Sequence, residues 1–421
     1  MAIVLVIVFV ALILKDTSYL GDSYILRGVS QGIALTAAAY WLAFNADKVN
    51  WSKYAWLLLF LFSISISASQ SNDIFFSGMQ VLSLIAACLL FIAYIENEPT
   101  VTGRIRLVEN VMLSSCALIC VASLLAIKIK PDLVYHFDDF ENIYRFRGFF
   151  SMPAMMGATA SILFGVAMFR NGSWLYRMPL ILVALATLYM TSSRTYWIAA
   201  LGAMVIVVWW RSRSKNLVVI SITIAAVIGL TAIQAVNISV SKKTAETTLR
   251  TDSLANLSGR TLAWQYAFES IQQRPLLGYG FATGDLAFTK AEKATKLSLH
   301  NGYVQAMMDA GILGASFYIA LIVTAIYRIY KSRQADLSAG FYILLLLAIA
   351  NLGESVMFTA AMYFSLLAWF YAIFGLSIKD VEVAEQVKPA DTTAHAPAVS
   401  ASLGTRIIGK SFLHKRYFPK Q

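Results

Sequence analysis

The stretch FFSGMQVLSLIAACLLFIAYI, residues 75–95, holds no charged side chain. Coiled as a helix, a run of this length reaches across roughly 30 Å, the thickness of bilayer hydrocarbon. Similar apolar runs recur at 2–14, 30–44, 54–68, 108–127, 153–169, 179–191, 197–210, 217–235, 312–330, 341–352 and 361–378. Together they predict about 12 membrane helices. Soluble core helices would explain one such run, but not the repetition. Composition agrees: mean hydropathy is +0.66 over 421 residues, and only 14% are charged, against roughly 25% in a soluble domain. The expected fold class is an all-α polytopic membrane protein.

A net charge of +11 on a soluble chain would suggest nucleic acid. Here the excess sits in short loops, where it reads as an orientation signal and no nucleic-acid partner is expected. One set of loops carries Lys48 and Lys53, Arg104 and Arg106, Arg170 and Arg177, Arg211, Arg213 and Lys215, and Arg328, Lys331 and Arg333. The alternate set, with Asp73 and Glu354, has little positive charge. The first set is therefore assigned to the cytoplasm, together with both termini. Lys15 is an exception to the rule. The first run lacks a basic leader and a small-residue cleavage site, so it reads as a retained helix. Cys88, Cys116 and Cys120 all fall inside apolar runs and read as buried thiols.

The chain divides into residues 1–236 with nine helices, an outer loop at 237–311, three helices in 312–378, and a cytoplasmic tail at 379–421. Within the tail, 391–402 is rich in Ala, Thr, Ser and Pro and reads as disordered. The basic end, 406–420, suits weak attraction to anionic membrane lipid.

Three outer segments carry arginine against the orientation bias. They are 128–152 with Arg145 and Arg147, the short turn 191–196 with Arg194, and 237–300 with Arg250, Arg260 and Arg274. Ser192-Ser193 can cap a helix beginning near Tyr196, which places Arg194 at a helix N-terminus. Ser258 can cap an amphipathic helix over 261–273 whose apolar side is Leu262, Trp264, Phe268 and Ile271, with Tyr266 and Ala267 adding to it. A guanidinium beside unpaired backbone N–H groups makes a cradle for phosphate. Each arginine alone is equally an interfacial or solvated charge.

His300 opens a segment that reads as helix from Asn301 to Gly311. The positive end of that helix disfavours imidazolium, so the ring can accept a proton from a hydroxyl. A lone histidine at such a place also serves purely structural ends. No His/Cys cluster has metal-ligand spacing, and Asp138-Asp139-x-Glu141 reads as a solvated loop more readily than as a cation site. A transporter would call for charges inside spans and paired halves. Glu109 is the main candidate, but it lies near the cytoplasmic end of its span, one turn from Arg106, and no internal repeat is visible.

Taken together, the pieces resemble the O-antigen ligase family and its wider superfamily of polymerases and protein O-oligosaccharyltransferases. The residues that carry the resemblance are Ser192–Arg194, Ser258-Gly259-Arg260, Arg274-Pro275-Leu276-Leu277-Gly278-Tyr279-Gly280, His300-Asn301-Gly302 and Asp309-Ala310-Gly311, with Arg147-Gly148 and Pro153 before the sixth run. The resemblance implies a glycosyltransferase C-type membrane fold in the bacterial inner membrane, with a periplasmic active site. The implied donor is a glycan on undecaprenyl diphosphate, the acceptor lipid A-core, and the reaction inverting, metal-independent and without cofactor. Arg194 and Arg260 would bind the diphosphate, and His300 would act as base. Arg145, Arg147, Ser193, Tyr196, Asn301 and Glu354 would supply further substrate contacts.

Overall fold

The computed structural model describes residues 1–17, 24–138, 143–212, 260–284, 299–358 and 362–378. The predicted run at 217–235, Ser258 and the tail lie outside these residues. Chain order gives α1 (Ala2–Lys15), α2 (Tyr24–Asn45), α3 (Ala55–Ser69), α4 (Ile74–Asn97), α5 (Val101–Ile129) and the single turn α6 (Pro131–Val134). A hairpin of β1 (Tyr135–Asp138) and β2 (Ile143–Phe146) follows, then α7 (Pro153–Phe169), α8 (Trp174–Thr191) and α9 (Arg194–Arg211). After the undescribed stretch come α10 (Arg260–Gln273), α11 (Gly302–Ser332), α12 (Ser338–Ala350) and α13 (Tyr363–Ser377).

Among the described residues, five helical stretches are long and apolar enough to cross a bilayer: Trp51–Ser69, Ile74–Asn97, Val101–Ile129, Trp174–Thr191 and Gly302–Ser332. Shorter apolar helices pack among them. Large apolar side chains face outward, including Phe75, Leu125, Ile198 and Val323. Such a surface suits lipid and not water. The chain is a multi-pass, predominantly helical membrane protein.

Every residue of α13 is buried. A helix apolar on all sides belongs inside a bundle, and α13 packs against α4, α11 and α12. Its Trp369 meets Phe60 of α3 and Tyr318 of α11, and Phe358 closes the cluster. Cys88, Cys116 and Cys120 are free and buried.

Several ends differ from the sequence reading. α8 begins five residues before Pro179, because Trp174 and Arg177 have work to do there. Arg177 stacks over Trp174 and donates to the Ala167 and Met168 carbonyls at the end of α7. A cation there also opposes the negative end of the helix dipole. The region before α7 holds a short hairpin, paired Tyr135 to Phe146 and Phe137 to Tyr144. Asp139 and Glu141 lie outside the described residues.

α11 breaks at Gly311, whose φ of 66° and ψ of −176° admit only glycine. The break frees backbone groups, and residues 275–284 take them up. Tyr279 and Gly280 donate N–H to Met308 and Asp309 carbonyls (2.9 and 3.0 Å), and Ile312 donates to Pro275 (2.8 Å). We call residues 275–284 the clasp. The Asp309 side chain is fully buried beneath it and accepts from Ala282 N, Gly284 N and Gln305 Nε2. Ser71 and Ser77, on either side of the start of α4, bond Thr283 and the Phe281 carbonyl, while Phe281 packs on Phe358. The glycine turn and the Asp-Ala-Gly run of the sequence are thus two halves of one joint.

Candidate functional site

At the end of the bundle that bears the clasp, three loops meet. The first is the α8–α9 turn. Ser192 takes a left-handed conformation (φ 52°) and ends α8, and α9 begins at Arg194, two residues earlier than the sequence suggests. Ser193 occupies the cap position, but its hydroxyl makes no capping bond. Ser193 and Tyr196 are buried against α7, where a Cβ on Gly157 would lie 3.1 and 3.0 Å from them. Arg194 is exposed, on the first residue of the helix.

The second loop follows α12. Asn351 Oδ1 accepts from the Val356 and Met357 N–H groups, and Asn351 Nδ2 donates to Tyr318 Oη. The turn so shaped lies on the first turn of α9: a Cβ on Gly353 would sit 3.0 Å from Thr195. Glu354 follows directly, and the buried Tyr196 phenol is within its electrostatic reach.

The third loop carries His300. Asn301 caps α11, its side-chain oxygen accepting from Tyr303 and Val304 N–H. Gly302 donates N–H to the Asn351 carbonyl at 2.8 Å, with its Cα so close that any Cβ would collide with the Asn351 side chain. That contact seats His300 beside Glu354, with Nδ1 3.0 Å from Oε2. The His300 side chain is 42% exposed and that of Glu354 19%. A carboxylate can only accept, so in the neutral ring the proton sits on Nδ1 and Nε2 is the acceptor. The turn therefore joins two parts of the site: Gly353 lies against Thr195, the residue after Arg194, and Glu354 bonds His300.

Arg260 is the first residue of α10; its side chain lies outside the description. Its helix is nonetheless fixed close to His300, because Trp264 Nε1 donates to the Leu299 carbonyl at 2.7 Å. The buried face of α10 is Ala263, Ala267 and Ile271, packed on Leu299, Val304 and Met308 with Trp264 alongside. Ala267 and Ile271 of the expected stripe are buried, but Phe268 is 48% exposed, a correction. The spacing of large side chains misled because the close approach to α11 selects alanine.

Arg147 follows β2 and donates its backbone N–H to Val134. Its Nε is buried and has no hydrogen-bond partner among the described residues. Arg145 stands across the hairpin from His136. On the other face, Tyr135 stacks edge-on with Phe146, and burial pushes its phenol up. A bridge between Thr17 and Phe150 joins this region to the end of α1.

Part of the chain that holds these residues is similar to known proteins. Residues 179–319 match a family described as O-antigen ligase. The match contains Arg194, Arg260 and His300 and stops short of Glu354. The exopolysaccharide production protein ExoQ of Rhizobium meliloti (strain 1021) is 22% identical over 317 residues, 66% of this chain and 66% of ExoQ. A protein of Rickettsia prowazekii (strain Madrid E), provisionally named a polysaccharide ligase, is 32% identical over 93 residues, 20% of this chain and 23% of that protein. The chain thus spans a little under two thirds of the one relative and less than a quarter of the other. Residues 179–319, set in the helical membrane bundle that holds the motif residues, thus match the O-antigen ligase family, and the chain is similar to these two relatives.

Proposed function

We propose that this protein transfers a glycan from undecaprenyl diphosphate to a sugar hydroxyl of lipid A-core at the periplasmic face of the bacterial inner membrane. The observation that carries the proposal is the His300–Glu354 pair, seated on the turn that packs beside Arg194. His300 Nε2 takes the proton of the acceptor hydroxyl. The acceptor oxygen bonds to the anomeric carbon from the face opposite the leaving group, so the centre inverts. The bond from that carbon to the phosphate oxygen breaks, and the diphosphate leaves with the electron pair. Arg194 and Arg260, each opening a helix, stabilise that charge without a metal. Arg147 and Arg145 hold outer phosphate or glycan oxygens. Glu354 stabilises the imidazolium that forms. Ser193 and Tyr196 brace the Arg194 turn, and Asn301 caps the helix behind the base. Two lipid-anchored substrates confined to one leaflet also gain effective concentration.

A second reading has its own support. ExoQ is named for exopolysaccharide production, and a polymerase would use a second lipid-linked glycan as acceptor with the same residues. The test is transfer in nanodiscs, with lipid-linked donor and, separately, lipid A-core, a second lipid-linked glycan, or protein as acceptor. Transfer to lipid A-core that is lost in His300→Ala, Arg194→Ala and Arg260→Ala, at unchanged melting temperature, is the expected result. Transfer only to another acceptor removes the ligase reading. Full activity in the three variants, or substrate counterflow without transfer, removes the mechanism.

A further inference from the structure

We propose that Trp264 is a positioning residue of the transfer site: its indole N–H grips the Leu299 carbonyl and thereby sets His300 against the Arg260 end of α10. This rests on the function proposed above. The Leu299 carbonyl belongs to the peptide unit that leads directly into His300, so the bond (2.7 Å) fixes the plane from which the imidazole is hung. His300 has a φ of 45°, a left-handed conformation that a non-glycine residue keeps only when its neighbours hold it. The holds are all identifiable. Upstream is Trp264. Downstream is the Gly302 bond to Asn351, and on the ring itself is Glu354.

Packing alone does not account for the tryptophan. The small core between α10 and α11 is filled by Ala263, Ala267 and Ile271 against Leu299, Val304 and Met308, and Trp264 is only partly covered beside it. The far end of α10 has its own fastening, since Tyr279 Oη donates to the Ser270 carbonyl (3.1 Å) and Tyr279 N–H to Met308. Trp264 governs the near end. α10 begins at Arg260, one turn before Trp264. One hydrogen bond then joins the element that receives the leaving diphosphate to the element that takes the acceptor's proton. Removing it should leave each substrate's binding intact and spoil their mutual alignment, which is a loss in the chemical step.

The experiment is Trp264→Phe in the full chain, in nanodiscs, with steady-state transfer measured against donor and acceptor concentration. Phenylalanine keeps an aromatic body and lacks the donor. We expect kcat to fall about tenfold to hundredfold, with KM for each substrate within about twofold and melting within about 2 °C. If Trp264→Phe does not fold, benzothienylalanine at the same position keeps the bicyclic ring and replaces only the N–H, and the same comparison applies. Unchanged kcat in the folded variant, or a loss confined to KM, overturns the proposal. His300→Ala is run beside it. Should that variant keep wild-type transfer, the reading of the site has failed; should it be inactive while Trp264→Phe is wild-type, only the role of Trp264 has failed.

Discussion

Replacing Gly311 with alanine tests whether the clasp supports the site. The new Cβ would meet the Leu276 carbonyl and lie 2.5 Å from Leu277 N, all of it backbone that cannot swing aside. The conformation itself, φ 66° and ψ −176°, costs a side chain about 1–3 kcal/mol. Relieving the collision means lifting residues 275–280 off the break in α11. That forfeits the Tyr279–Met308, Gly280–Asp309 and Ile312–Pro275 bonds, at about 1 kcal/mol each. Those bonds are lost on opening in either chain, so the shift comes from the raised closed form, whose strain alone of about 1–3 kcal/mol gives roughly fivefold to a hundredfold in the local opening equilibrium. Hydrogen exchange of the Tyr279 and Gly280 amides in nanodiscs should accelerate by about that factor. Transfer should fall with it, because α10 and Leu299 lose their footing. Gly78→Ala is the control: its Cβ meets nothing within 4 Å, and both readouts should stay at wild type. Native exchange rates at Tyr279 and Gly280 in Gly311→Ala would refute the reasoning.

Glu354→Gln keeps the shape of the side chain and removes its charge. Bonds to charged groups are worth about 1.5–3 kcal/mol, so kcat should fall roughly tenfold to hundredfold with donor KM unchanged; wild-type kcat would exclude Glu354 as partner of the base. Transfer should proceed at the same rate after exhaustive chelation, and a strict requirement for a divalent cation would overturn the arginine-only account of the leaving group.

The membrane runs are legible in the sequence because burying about 20 residues in hydrocarbon demands an unbroken apolar string, and 153–169 coincides with α7. The break at Gly311 is legible too, since Asp309-Ala310-Gly311 divides a polar helical run from an apolar one. Other features depend on partners that periodicity does not reveal. His300 and Glu354 are 54 positions apart, and Trp264 and Leu299 are 35 apart. Glu354 reads from sequence as a substrate contact, and only its place beside the imidazole suggests a different task. Asp309 reads as part of a motif without a role until its carboxylate is seen to accept from the clasp. Pro179 misleads because proline is a common first residue of helices, whereas here an upstream arginine stacks and caps.

The pinning of Gly284 to Asp309 and of Leu299 to Trp264 has a consequence for chain length. The chain is fastened at Gly284 and fastened again at Leu299. Entropy penalises extra length between fixed points only logarithmically. A change of a few residues in chain length between these two points should therefore cost about 1 kcal/mol or less, which the melting temperature of a chain lengthened there checks.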